Sequence, residues 1–241
     1  MKDIVIYFTY GLTSEDELLE LFRRMKKIGV SAVELGVPFS DPVADGPIIQ
    51  EASIRALKNG GSLKKAIEFA KKYKDKLELP IYLMGYINSF YSYGLSGFIE
   101  DAKAAGIAGA IIPDLPMEEF AGFRKEAEKR NFALPVIISP LSSEKRIKML
   151  AKAATGFIYL VPRMGTTGTH TDDFSAAKEM IKKINSPLPV YVGFGIHNAA
   201  SLRSVMRIAD GAIIGSAFIK RYLDSGRIDE PINWLKEVIG Y

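Results

Sequence analysis

The sequence contains no cysteine, which excludes disulfide bonds, thiolate catalysis and cysteine-ligated zinc. The absence of cysteine fits a reducing cytosol, and we expect a cytoplasmic protein. Histidine is also scarce. His170 and His197 lie in different predicted loops without the spacing of metal ligands, so we predict no metal site and assign neither residue a catalytic role.

The sequence also lacks long hydrophobic runs, and no run approaches the roughly 20 apolar residues that a membrane helix needs. Residues 1–9, MKDIVIYFT, have too little positive charge and too short an apolar stretch for a signal peptide, so we interpret them as the first strand. The net charge of +4 comes from scattered Lys and Arg. This pattern argues against nucleic-acid binding but would help to attract a small phosphorylated substrate.

Short β-rich segments recur along the whole chain and alternate with segments of helical spacing. Most lack polar alternation, which is typical of parallel strands covered on both faces. Eight strand–helix units in 241 residues without a compositional boundary predict a single-domain (β/α)₈ TIM barrel over residues 1–241. A doubly wound open sheet is the alternative. The eight predicted strands are 4–9, 31–37, 80–86, 108–114, 133–139, 156–161, 188–194 and 210–216.

The segment VELGVPFSDPVADGP, residues 33–47, combines an apolar strand with an acid-rich loop. Side chains alternate along a strand, so Glu34 should share one face with the small residues Ala32 and Gly36 and point into the barrel. Active sites of such barrels lie where strands run into helices, and burial raises the pKa of a carboxyl group towards the range useful for acid–base catalysis. The alternative is a structural acid in a buried ion pair.

Two glycine-bearing strand ends occur late in the chain, in residues 192–198 and 213–222. The loops after the last two strands of a barrel often bind phosphate through backbone N–H groups at a helix start. Gly193, Gly195 and Gly215 would let the backbone approach an anion, and Ser216 would add a hydroxyl group. These turns predict a phosphate site.

A third glycine-rich segment, PRMGTTGTHTDD at residues 162–173, follows the sixth predicted strand. Its length and small residues predict a mobile lid that closes over the site, with an ordinary loop as the alternative.

Aromatic residues occur in several of the predicted strands and are typical of a barrel core. If several of them face the barrel mouth, the pocket would accept a flat apolar ring beside a phosphate group. These residues are Tyr7, Tyr82, Tyr86, Phe157 and Tyr159.

Taken together, the segment ELGVPFSDPVADGPIIQEAS and the later motifs LMGYIN, IIPDLPMEE, GFIYLV, GTTG, VGFGI and ADGAIIGSAF resemble the tryptophan synthase α subunit family in the same order along nearly the whole chain. The resemblance implies a (β/α)₈ barrel. It also implies retro-aldol cleavage of indole-3-glycerol phosphate to indole and glyceraldehyde 3-phosphate, without a metal or organic cofactor.

The resemblance assigns roles by matching positions. Glu34 matches the general acid/base, Asp45 matches the aspartate that holds the indole nitrogen, and Tyr159 matches a tyrosine beside the glutamate. The remaining matches are Tyr7 and Met84 in the indole pocket, Thr167 as the lid residue that contacts the aspartate, and Gly168, Gly193, Gly195, Gly215 and Ser216 at the phosphate.

The family's partner is a β subunit that carries pyridoxal phosphate, so the resemblance implies an αββα heterotetramer with no cofactor in this chain. The loop around Pro38, Asp41 and Pro42, together with residues 115–119, resembles the surface that meets the partner. Two other functions remain open. One is a different phosphate-binding barrel enzyme, such as a phosphosugar isomerase or lyase, and the other is a weakly catalytic subunit that mainly activates a β-type partner.

Overall fold

The computed structural model describes residues 2–161 and 174–241, and the strands in these ranges form one parallel sheet. A parallel bridge between Gly109 and Ala133 brings the two ends of this eight-stranded sheet together. The predicted (β/α)₈ barrel is therefore confirmed, and the doubly wound open sheet is wrong. The strands are β1 (Asp3–Thr9), β2 (Ala32–Gly36), β3 (Ile81–Met84), β4 (Gly109–Ile111), β5 (Val136–Ile138), β6 (Ile158–Leu160), β7 (Val190–Gly193) and β8 (Gly211–Ile214). Their order in the sheet is β4-β3-β2-β1-β8-β7-β6-β5.

Helices surround the barrel and pack against the outward faces of the strands. The first begins after Ser14, whose hydroxyl accepts a hydrogen bond from the Glu17 N–H, and Gly29 follows its end with a φ of +90°. The helices are α1 (Glu15–Lys27), α2 (Pro47–Lys58), α3 (Leu63–Lys72), α4 (Ile87–Tyr93), α5 (Leu95–Ala104), α6 (Met117–Lys129), α7 (Glu144–Ala153), α8 (Ser175–Ile184), α9 (Ala199–Ile208), α10 (Ser216–Ser225) and α11 (Asp229–Ile239). No helix in the described parts of the chain is long and apolar enough to cross a membrane.

Strand β2 shows the predicted alternation of side chains. Val33 and Leu35 belong to the large hydrophobic core between the barrel and the helices, whereas Ala32 belongs to the smaller cluster inside the barrel. Glu34 lies on the inner face with Ala32 and lines an internal cavity. The period of two in a strand therefore places a carboxyl group inside the barrel, between residues too small to cover it.

Aromatic rings fill the barrel interior towards the N-terminal ends of the strands. The Phe157 ring stacks on Tyr191 with centroids 4.7 Å apart and meets the Tyr82 ring edge-on at 5.2 Å. The Tyr191 hydroxyl donates a 2.6 Å hydrogen bond to the Asp3 carboxylate at the start of β1. The cavity that holds Glu34 lies beyond this packed layer, at the opposite, C-terminal face, where such barrels carry their active sites.

Candidate active site

A cavity of about 330 Å³ opens at the C-terminal ends of the strands. Its lining comes from both halves of the barrel and is mostly apolar, with a few converging polar groups, as small-molecule sites usually are. Of the residues predicted for the site, those that line this cavity are Tyr7, Glu34, Asp45, Met84, Tyr159, Gly195, Gly215 and Ser216.

Glu34 is completely buried, and no residue in the described part of the chain forms a hydrogen bond with its carboxyl group. Within the described residues, neither carboxyl oxygen has a hydrogen-bond partner, so the alternative of a buried ion pair is not supported. Burial, followed by the negative charge of Asp45, raises the pKa of Glu34 from 4.5 to about 8. At neutral pH this side chain therefore carries a proton and faces the cavity.

Asp45 lies in the loop after β2 and is held by the hydroxyl group of Tyr86. Tyr86 donates a 2.9 Å hydrogen bond to Asp45 Oδ2, and its oxygen accepts a 2.9 Å bond from the Ala44 N–H. The Phe39 ring stacks on the Tyr86 ring with centroids 5.1 Å apart. Burial raises the pKa of Asp45 from 3.8 to about 6, while the bond from Tyr86 opposes the rise. Asp45 is therefore mainly ionised at pH 7.

Two tyrosines flank the acids, and each lies against a glycine of another strand. A Cβ atom at Gly36 would come within 2.2 Å of the Tyr7 oxygen, and one at Gly193 would come within 2.4 Å of the Tyr159 oxygen. Burial and the nearby carboxylates raise the pKa of both phenols well above 10, so both stay neutral. Gly193 thus lies behind Tyr159 and makes room for its ring.

The other end of the cavity is built from backbone. Gly215 precedes α10 and Ser216 begins it, and both line the cavity together with Gly195. The first N–H groups of a helix have no acceptor within the helix, and the helix dipole favours an anion there. Within the described residues the lining contains no Lys or Arg, so an anion would depend on these N–H groups.

Several predicted features lie outside the described residues or outside the cavity lining. The lid at 162–173, with Thr167, Gly168 and His170, falls in the undescribed segment. Gly193, which was predicted at the phosphate, is absent from the lining, as is His197, which was assigned no role. Over the described ranges, no group of three or more His, Cys, Asp or Glu side chains is placed to hold a metal ion.

Tyr86 and Phe194 contact the site. From the sequence, Tyr86 was named only among the strand aromatics that could face the barrel mouth, and Phe194 was not named. Tyr86 binds Asp45 across 41 positions of sequence, and Phe194 lines the cavity with a φ of +102°. Phe194 lies between Gly193 and Gly195. These two neighbouring glycines were the one feature of the sequence that indicated an unusual backbone conformation at Phe194.

Comparisons with known proteins agree with this architecture. The family model of the tryptophan synthase alpha chain matches residues 1–238. The tryptophan synthase alpha chain of Petrotoga mobilis is 39% identical over 239 residues, covering 98% of this chain and 92% of the relative. That of Trichormus variabilis is 42% identical over 233 residues, covering 94% and 87%.

A solved structure of a mutant tryptophan synthase alpha-subunit from the hyperthermophile Pyrococcus furiosus superimposes with a TM-score of 0.89 at 32% identity. The superposition covers 100% of this chain and 99% of that chain. The sequence match and the shared fold both extend over nearly the full length. The chain belongs to the tryptophan synthase alpha chain family.

Proposed function

We propose that this protein cleaves indole-3-glycerol phosphate by a retro-aldol reaction, yielding indole and glyceraldehyde 3-phosphate. The observation that carries the proposal is the buried carboxyl group of Glu34, which has no hydrogen-bond partner among residues 2–161 and 174–241, beside the ionised Asp45. Both acids share one cavity with the N-terminus of α10. This arrangement supplies an acid, a fixed negative charge and an anion site to one substrate.

The reaction begins with the proton on Glu34. Glu34 donates it to C3 of the indole ring, which places positive charge on the ring nitrogen. Asp45, held by Tyr86, accepts the N–H hydrogen bond of the ring and stabilises the charge. The pKa values suit this division, because near pH 7 Glu34 is protonated and Asp45 is ionised.

Glu34 then acts as a base with the carboxylate it has just formed. It removes the proton of the hydroxyl group on the carbon attached to C3, and that C–O bond becomes the carbonyl of the aldehyde. The bond between this carbon and C3 breaks, and its electron pair returns to the ring to regenerate neutral indole. The proton is back on Glu34 at the end, so the step balances without a cofactor.

The rest of the site holds the two ends of the substrate. Tyr7, Met84 and Tyr159 contact the flat ring, and their mainly apolar surface excludes water from the acids. The phosphate binds to N–H groups around Gly195, Gly215 and Ser216. The family match adds Thr167, Gly168 and Gly193 to the proposed site. Gly193 contributes by leaving room for the Tyr159 ring.

We also propose that residues 1–241 act as one domain in the cytoplasm, in an αββα heterotetramer with a β subunit. Any pyridoxal phosphate then belongs to that partner, and the reaction above uses none. The partner would meet the loop after β2, where Asp41 is exposed and Val43 is 81% exposed, together with residues 115–119.

The deciding experiment is indole release from indole-3-glycerol phosphate by the purified chain. Glu34→Gln should abolish nearly all turnover and retain the circular dichroism spectrum, with the exposed-site variant Glu144→Gln as the control. Full activity of Glu34→Gln would remove the mechanism. Turnover of phosphosugars lacking an indole group would instead favour another barrel enzyme. Weak indole release by this chain with and without the β subunit, together with a faster reaction of the β subunit, would favour a subunit that mainly activates its partner.

A further inference from the structure

The turn between β7 and α9 has an unusual backbone conformation at the anion end of the cavity. Phe194 has a φ of +102° and Gly195 a φ of +78°. Few residues other than glycine adopt positive φ, and such conformations persist only where the surrounding structure imposes them. Neighbouring side chains must therefore hold this turn in place.

A buried serine organises the chain just after the turn. Ser201 is completely buried, and its Oγ accepts hydrogen bonds from the N–H groups of His197 at 3.0 Å and Asn198 at 3.1 Å. It also donates to the Asn198 carbonyl at 2.9 Å. In return, Asn198 Oδ1 accepts from the Ser201 N–H at 2.8 Å. These reciprocal bonds fix the start of α9 and the Asn198 side chain.

The fixed Asn198 side chain determines which nitrogen of His197 carries the proton. Because Asn198 Oδ1 is already an acceptor for Ser201, the amide nitrogen of Asn198 faces His197 Nε2 at 3.0 Å. That amide nitrogen can only donate, so Nε2 must accept and the proton lies on Nδ1. Nδ1–H then donates a 2.8 Å hydrogen bond to the Gly195 carbonyl.

This hydrogen bond sets the orientation of one peptide group. The carbonyl and the N–H of a trans peptide point to opposite sides, so holding the Gly195 carbonyl towards His197 turns the Ile196 N–H away from it. Gly195 and Ile196 line the cavity, whereas His197 does not. We propose that His197 is a positioning residue that orients the Gly195–Ile196 peptide so that its N–H binds the phosphate group of the substrate. The inference rests on the proposed function for the substrate, but its test does not need catalysis.

The test compares three substitutions in the full chain. Asparagine can replace Nδ1 with its own amide N–H, so His197→Asn should keep the bond to Gly195. His197→Gln places its amide near the Nε2 position, and His197→Ala removes both groups. Binding of inorganic phosphate and of indole is measured by calorimetry, and kcat and KM are measured with indole-3-glycerol phosphate.

We expect His197→Ala and His197→Gln to weaken phosphate binding and raise KM by about tenfold, the usual effect of losing one hydrogen bond to a charged group. Indole affinity and kcat should change by less than about twofold, since the apolar end and the acids are untouched. His197→Asn should restore most of the phosphate affinity. If His197→Ala does not fold, the comparison of His197→Gln with His197→Asn decides the question.

Equal phosphate affinity in all variants would overturn the inference, as would a fall in kcat without a change in KM. Equal losses in the Asn and Gln variants would also overturn it. The two proposals fail separately. If phosphate binding depends on residue 197 but the chain does not cleave the substrate, only the proposed function is contradicted. If the chain cleaves the substrate but its phosphate affinity does not depend on residue 197, only this inference is contradicted.

Discussion

Replacing Glu34 with glutamine should remove much of the pH dependence of folding stability. The pKa of Glu34 rises from 4.5 to about 8 on folding, because the group is buried and faces Asp45. Between these two values the folded protein keeps a proton that the unfolded chain has lost. The native state then binds more protons, so the stabilising contribution is full below pH 4.5 and is lost as the pH rises through about 8.

The size of this loss of folding stability follows from the shift in the pKa of Glu34. One pKa unit corresponds to about 1.4 kcal/mol, so a rise from 4.5 to about 8 amounts to about 5 kcal/mol over the whole window. At pH 7, about 2.5 units above the unfolded value, the loss is about 3 kcal/mol. Domains are stable by only about 5–15 kcal/mol, so the effect is measurable. Glutamine has no charge at any pH and contributes none of this slope.

Urea denaturation of the wild type and of Glu34→Gln from pH 5 to pH 9 measures the effect. A buried amide without partners has its own cost, but that cost does not depend on pH, so the slopes are the quantities to compare. The unfolding free energy of Glu34→Gln, minus that of the wild type, should increase by about 4 kcal/mol over this range. Glu144→Gln, at an exposed helix start, should follow the wild type. Parallel curves for Glu34→Gln and the wild type would refute a protonated Glu34 in the resting protein.

Three further substitutions test the rest of the site. Asp45→Asn should lower kcat by about 10²–10³-fold while phosphate affinity changes little, and an unchanged rate in a steady-state assay would show that the charge is unimportant. Tyr86→Phe removes the hydrogen bond that lowers the pKa of Asp45, so the acidic limb of the pH profile of kcat/KM should move to higher pH. An acidic limb at the wild-type pH would contradict the role of Tyr86 in keeping Asp45 ionised. Gly193→Ala should lower the free energy of unfolding, measured by urea denaturation, by about 1–3 kcal/mol and should reduce kcat, because the added Cβ collides with Tyr159. Wild-type values of both quantities would show that the Tyr159 ring can move away.

The sequence predicted the parts of the molecule that depend on local periodicity. Alternation along β2 placed Glu34 inside the barrel between Ala32 and Gly36, because successive side chains of a strand must point to opposite faces. The eight strands were also predictable, although most are shorter in the structure; β5, for example, covers only Val136–Ile138 of the predicted segment 133–139. Strand ends depend on where neighbouring strands stop pairing, which periodicity does not report.

Contacts between distant segments were not predictable in the same way. The bond from Tyr86 to Asp45 depends on the path of the loop after β2, and nothing local in either segment specifies that path. Gly193 illustrates a different difficulty. A glycine at a strand end suggests a backbone that approaches a ligand, but the structure puts the Tyr159 ring in the space that a side chain would fill. The sequence shows that a side chain is missing, not what occupies its place.

The deeper burial of Glu34, the charge of Asp45 and the hydrogen bond from Tyr86 together give the two acids in one cavity different tasks. Burial raises the pKa of both, but only Asp45 receives a hydroxyl donor within the described residues, and that bond favours its ionised form. Glu34 has no such donor there and feels the charge of Asp45 as well, so its pKa rises further. Between about pH 6 and pH 8 the pair therefore holds one proton and one negative charge, each on a defined residue. Protonating C3 while stabilising charge at the ring nitrogen requires this distribution, and the phenol hydroxyl of Tyr86 adds to the difference in burial that creates it.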